Sequence, residues 1–124
     1  MKNWISVEAD IDLIMTKHFT AGRTRPIDRI YLHHNAGNLT VEGCYNTWQT
    51  REASAHYQVE RGGRIGQLVW DRDTAWHAGN STENARSIGI EHANNQFGPW
   101  TISQETLEAG AHLVAALCVN LQLG

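Results

Sequence analysis

WHAGNSTENARSIGIEHANN, residues 76–95, is the stretch whose reading decides the fold. It opens on an aromatic–imidazole pair, Trp76-His77, followed by Ala78-Gly79 and a polar segment, Asn80–Arg86, that reads as a loop. Ser87-Ile88-Gly89-Ile90-Glu91-His92 then carries β-branched residues at period two, which predicts a strand. Alternation places Ile88, Ile90 and His92 on one face and Gly89 and Glu91 on the other. A carboxylate in an apolar strand costs several kcal/mol unless it is paired or protonated. Gly89 beside it leaves room for another group to approach the backbone. Glu91 therefore reads as the floor of a site, against the plainer reading of a strand-end acid that reaches solvent or pairs with an arginine.

Working outward, the same alternation appears in Ile30-Tyr31-Leu32-His33-His34, a second strand closed by the turn Asn35-Ala36-Gly37-Asn38. His33 and His34 face opposite ways, so at most one serves a given site. Thr40 is placed to cap a helix whose stripe is Val41, Cys44, Tyr45 and Trp48. Ala55–Glu60 and Arg64–Trp70 form a hairpin around Arg61-Gly62-Gly63-Arg64, with both glycines free to take positive φ. Upstream, Ser6 as a cap with Val7, Ile11, Ile14, Met15 and His18 predicts a first helix ending at Gly22. Downstream, Asn94–Trp100 reads as a loop with Pro99. Thr101 and Gln104 make a capping box for a last helix, with Leu107, Gly110, Ala111, Val114, Leu117, Cys118 and Leu121 as its stripe. His112 falls off that stripe and pairs with Glu108 at i, i+4. The fold class is α/β: one domain, residues 1–124, with a mixed sheet flanked by about three helices.

The chain of 124 residues suffices for one core, burying roughly two-thirds of its unfolded surface. A net charge of −3 argues against nucleic-acid or membrane-surface binding driven by charge. No apolar run approaches the roughly 20 residues of a membrane span, and the first residues carry no signal-peptide h-region. Cys44 and Cys118 make no disulfide framework and read as buried free thiols. The five tryptophans suit stacking on sugar rings as well as core filling. No H-x-x-x-H or C-x-x-C pair is present, and a zinc site would need His33, His56, His77 or His92 to converge in space.

Five segments stand in a telling order: Tyr31–Gly37, Ser54-Ala55-His56-Tyr57, Gly63–Gln67, Ala75–Gly79, and Asn84 with Ser87–Glu91. In this order the chain resembles the type-2 N-acetylmuramoyl-L-alanine amidases, in particular the catalytic domain of phage endolysins, relatives of the peptidoglycan-recognition proteins. The resemblance runs from about Ile30 to the last helix. It implies a zinc-dependent peptidoglycan hydrolase cleaving the amide between N-acetylmuramic acid and L-alanine. Residue by residue, His33 matches the first zinc ligand, and His34 a variable position. Glu91 matches the acid that handles the proton of the attacking water. His77, Asn35 and Trp76 match residues lining the substrate groove. His56 and Tyr57 match a strand motif beside the metal, with Tyr57 expected to help bind substrate. Ala55 stands where some relatives have a catalytic tyrosine. The family sets its other two zinc ligands, a His and a Cys, after the last helix. His112 and Cys118 cannot replace them, lying six residues and about 240° apart around one helix.

An incomplete zinc site is therefore expected, in a chain that ends at the last helix or pairs with a longer chain or itself. The resemblance further implies synthesis in a host cytoplasm and action on the bacterial cell wall, with peptidoglycan as partner and no insertion into membrane. The rival reading is a peptidoglycan-binding module that does not hydrolyse. A nucleophile hydrolase is disfavoured by the lack of a G-x-S-x-G elbow.

Overall fold

The structure, a computed structural model, describes residues 9–95 and 101–123. Its centre is a mixed five-stranded sheet of order β1-β5-β4-β7-β3. The strands are β1 (Ile11–Asp12), β3 (Arg29–His34), β4 (Tyr57–Val59), β5 (Ile65–Gln67) and β7 (Ser87–His92). Only β4 and β5 run antiparallel, as the two arms of the expected hairpin. Its turn closes through Gly63 N–H to Glu60 C=O at 2.9 Å, and of the two glycines only Gly63 takes positive φ, +90°. A two-stranded ribbon joins β2 (Phe19–Thr20) to β6 (Thr74–Ala75). The helices are α1 (Val41–Thr50), α2 (Ser81–Ala85) and α3 (Gln104–Asn120).

The register explains the two faces. Gly66, Gln58, Glu91 and His33 are successive partners across β5, β4, β7 and β3, so they form one row on one face. Tyr57, Ile90 and Leu32 form a row on the opposite face. The second face packs on α3: Tyr57, Val59, Ile65, Ile88 and Ile90 meet Ala109, Leu113 and Leu117. On the first face, α1 lays Val41, Cys44 and Trp48 against Met15, Ala55, Leu68 and Ala75. Thr40 caps α1 as expected, its hydroxyl accepting from Gly43 N–H at 3.0 Å, an interaction worth about 1 kcal/mol.

Five expectations are corrected. Residues 9–22 are not helical. Asp10, Leu13 and Met15 donate their N–H groups to Ile65, Gln67 and Leu68 carbonyls at 2.7–2.9 Å, extending the sheet beyond β5. Ile11 and Met15 fit a helical spacing, but the open edge of β5 supplies backbone partners that outweigh it. The Ser6 cap and Val7 lie outside the described residues, as does the 96–100 part of the Pro99 loop. The polar segment 80–86 contains α2, because Asn80 accepts from Thr82 and Glu83 N–H at 2.9 and 3.1 Å. The cap of α3 is Ser103, whose hydroxyl accepts from Thr106 N–H, rather than Thr101. Its buried stripe is Thr106, Ala109, Gly110, Leu113, Ala116 and Leu117, while Leu107 is exposed. Finally, Cys44 is buried, its thiol pushed up to about 12 by desolvation, but Cys118 is only half-buried.

Candidate active site

Two hydrogen-bond chains meet on the His33–Glu91 row, each fixed at its far end by a backbone carbonyl. The first begins at Glu83 C=O, which accepts from the Ser87 hydroxyl at 2.6 Å. With its proton committed there, Ser87 Oγ must accept from His77 Nε2, 2.9 Å away. His77 Nδ1 is then the acceptor for His33 Nε2–H at 2.9 Å. A neutral imidazole carries one donor and one acceptor nitrogen, so His33 keeps its Nδ1 lone pair for another group. Burial lowers His77 to about 4, with the His33 and Arg23 charges adding to it, and burial first, then His92 and His34, lowers His33.

His77 reaches this position because residue 89 is glycine. A Cβ there would lie 2.4 Å from His77 Cγ. The room that the sequence left beside Glu91 is filled by this imidazole. Asn84 holds the loop from below, its Oδ1 accepting from His77 and Ala78 N–H at 3.2 and 2.8 Å. Tyr31 walls the pair, its ring 5.6 Å from that of His77, and donates its hydroxyl proton to Glu83.

The second chain begins at Leu39 C=O, which accepts from Gln58 Nε2 at 2.8 Å. Gln58 Nε2 also donates to Asn35 Oδ1 at 2.7 Å, and Asn35 Nδ2 donates to Gln58 Oε1 at 3.1 Å and to Glu91 Oε1 at 3.2 Å. Burial pushes the half-buried Glu91 carboxyl up to about 7, against the Asn35 hydrogen bond and the more distant charge of Arg51.

The other sequence candidates separate from this row. His56 is wholly buried with both nitrogens taken. Nδ1 accepts from Gly89 N–H at 3.1 Å, and Nε2 donates to Asp73 C=O at 2.9 Å. Burial drops it to about 3. His92 turns its Nε2 toward Gly110 of α3, and its Nδ1–H reaches His33 C=O on β3 at 2.9 Å. Tyr57, expected to contact substrate, is instead fully buried on the α3 face and donates to Asp71 Oδ1 at 2.7 Å. Trp76 is half-buried and donates Nε1–H to Thr20 Oγ1 at 3.0 Å. It lines a cleft of about 540 Å³ between residues 20–25 and α2, whose lining includes neither His33 nor Glu91.

Gln58 was missed by sequence reasoning, and Asn84 and Ser87, which stand in the motif series, were given no role there. The one available signal was Gln58, an uncharged polar residue at the inward position of an apolar strand. Among the described residues no three His, Cys, Asp or Glu side chains cluster to hold a metal. The donors present thus do not by themselves make a three-ligand zinc site.

This geometry can be set beside known proteins. An N-acetylmuramoyl-L-alanine amidase from Achromobacter lyticus (amidase A) is 34% identical over 88 residues, 65% of this chain and 49% of that protein. The chain thus spans about half the length of this curated relative. In fold it is similar to PlyL, at TM-score 0.77 and 18% identity over 94% of this chain and 76% of the other. It is also similar to the endolysin amidase LysCS from Clostridium intestinale URNW, at TM-score 0.69 and 17% identity over 95% of this chain and 80% of that one. The sequence pattern of one family, described as N-acetylmuramoyl-L-alanine amidase (Amidase_2), matches residues 23–124, which take in both hydrogen-bond chains, and the protein belongs to that family.

Proposed function

We propose that the His33–Glu91 row is the reaction site of a peptidoglycan amidase of endolysin type, acting on the bond between the lactyl group of N-acetylmuramic acid and L-alanine. The observation that carries this reading is a half-buried carboxyl, held near 7, paired in register with an imidazole whose Nδ1 is uncommitted. A carboxyl so poised can take a proton from water and return it to a leaving amine near neutral pH. Glu91 fills both roles. His77 orients His33 and fixes its tautomer. We assign Trp76 and the cleft it lines to the glycan, because aromatic faces stack on sugar rings.

The family reading implies zinc, and His33 is the side chain we assign to it. Because the described residues do not complete a three-ligand set, no step is written through the metal. Zinc binding by the 124-residue chain is expected to be weak, since structural-type affinity of roughly 10–16 kcal/mol requires a full ligand set. Dialysis followed by metal analysis checks this, and stoichiometric zinc would contradict it.

The incomplete ligand set also favours a second reading, binding to peptidoglycan without hydrolysis. One experiment separates the two. Purified cell walls are incubated, with zinc in excess, with the chain and with Glu91→Gln, and both newly freed L-alanine amino groups and wall-bound protein are measured. Release that falls about 10²–10⁴-fold in Glu91→Gln supports the amidase. Binding without release selects the second reading, and absence of both rejects the two together.

A further inference from the structure

Gln58 is an unusual residue for its place. It is fully buried in the middle of β4, between Gly66 and Glu91 in the register. Capping Leu39 C=O would take one of its two N–H bonds. The other N–H and the Oε1 acceptor both go to Asn35, in a reciprocal amide pair. Each amide therefore uses both of its N–H bonds, and Asn35 has one left only for Glu91 Oε1.

The direction of this chain follows from its end. A backbone carbonyl only accepts. Turning the Gln58 amide over would set Oε1 against Leu39 O. Turning Asn35 over would set Oδ1 against both Gln58 Oε1 and Glu91 Oε1. Either flip leaves buried acceptors facing each other, at a cost comparable to lost hydrogen bonds. Leu39 thus dictates that an N–H, never an oxygen, is presented to Glu91. Among the described residues Glu91 Oε1 takes that bond and Oε2 takes none, which leaves Oε2 as the oxygen facing the site.

We infer that Gln58 is a positioning residue. Acting through Asn35, it holds one oxygen of the Glu91 carboxyl and turns the other to the reacting water. This rests on the amidase reading of the row. It also gives Asn35 a task other than touching substrate.

The test uses the full 124-residue chain, isotope-labelled, as wild type, Gln58→Met, Asn35→Ala and the double variant. Three quantities are read: solvent exchange of the Asn35 and Gln58 side-chain N–H protons, the Glu91 carboxyl carbon shift at one fixed pH, and kcat and KM on a soluble N-acetylmuramoyl-L-alanyl peptide. In Gln58→Met, Asn35 exchange should quicken at least about tenfold and the Glu91 signal should move to its place in Asn35→Ala. The kcat should fall roughly 10–100-fold, the cost of a small misplacement, with KM little changed. The double variant should lose no more than Asn35→Ala alone, because residues acting in one series are not additive. Unchanged Asn35 exchange, an unmoved Glu91 signal, or losses that multiply in the double variant would overturn the inference. If Gln58→Met does not fold, Asn35→Ala decides alone: one Gln58 N–H proton should lose protection while its Leu39-bound partner keeps it. A wild type that never cleaves the peptide with zinc in excess rejects the amidase reading, whereas the exchange and carbon signals still judge the amide chain.

Discussion

Neighbouring residues of β7 live in opposite worlds. Ile88 and Ile90 are wholly buried against α3 in a cluster of Tyr57, Val59, Leu113 and Leu117. Gly89 and Glu91, one residue along, face His77, Asn35 and Gln58. The α3 side of β7 is held by area and fit. Its site side is held by direction, because each donor there must meet an acceptor. No buried side-chain nitrogen or oxygen among the described residues lacks a hydrogen-bond partner. What the difference teaches is that around β7 packing against α3 supplies stability, while the Glu91 side trades local packing for fixed hydrogen-bond direction.

The largest expected effect tests that division directly. Ile90→Ala removes a wholly buried side chain and should cost about 2–5 kcal/mol of unfolding free energy. Urea unfolding should show a lower midpoint with an unchanged slope. Glu91→Gln, its immediate neighbour, should show no such loss at pH 8. Equal destabilisation by the two would abolish the distinction.

The next effect has a sign fixed by titration. Burial raises Glu91 from its ordinary value to about 7, so the folded chain holds this proton more tightly than the unfolded chain. Its contribution is fully present below about pH 4.5 and is lost as pH rises through 7. Relative to Glu91→Gln, the wild type should lose roughly 2–3 kcal/mol over that interval. His56 and His77 act oppositely. Burial depresses them to about 3 and 4, so their contribution is present above pH 6.5 and lost as pH falls through those values. Subtracting the Glu91→Gln curve removes the histidines, and a flat difference would show that Glu91 is not desolvated.

A third effect compares two close approaches, one on each face. A Cβ at Gly89 would lie 2.4 Å from His77 Cγ, and one at Gly110 would lie 2.6 Å from His92 Nε2. Both alanine variants overpack, at roughly 1–3 kcal/mol. In α3, alanine recovers about 1 kcal/mol of helix propensity, so Gly89→Ala should be the more damaging. It should also displace His77, which the ring signals of His33 would report. A smaller loss at Gly89 would mean that His77 moves aside easily.

Alternation made the sheet legible. Ile88, Ile90 and His92 against Gly89 and Glu91, and His33 against His34, fall on the faces that period two assigns. Thr40 and the Gly-Gly turn carried their own local chemistry. The N-terminal stretch was illegible for a physical reason. Two-residue strands such as β1 and β2 have no period, and the strands that recruit them, β5 and β6, lie over fifty residues away in sequence. On α3 the sequence offers two apolar stripes one residue apart. The two share Gly110 and Leu117, and the sheet takes the one that adds the small residues Ala109 and Ala116, because they let the helix approach; periodicity cannot choose between them. In the site, Glu91 stood out as a misplaced charge. Gln58 and Ser87 did not, because a side chain's hydrogen-bond direction depends on carbonyls far along the chain, Leu39 and Glu83.

The smallest effect is expected where the apolar row reaches its edge. Leu32 is in register with Ile90, which pairs with Tyr57, yet Leu32 is 64% exposed while the other two are 0% exposed. β3 is the last strand of the sheet, and α3 packs against the cluster built on β4, β5 and β7. Hydrophobic stabilisation follows area removed from water, not residue type. Leu32→Thr should therefore change unfolding free energy by no more than about 0.5 kcal/mol, against several for Ile90→Thr. Both are measured by urea unfolding at low and high protein concentration. A loss at Leu32 that grows with concentration would mean that a second chain covers this edge. A large loss independent of concentration would mean that the apolar face extends across β3 after all.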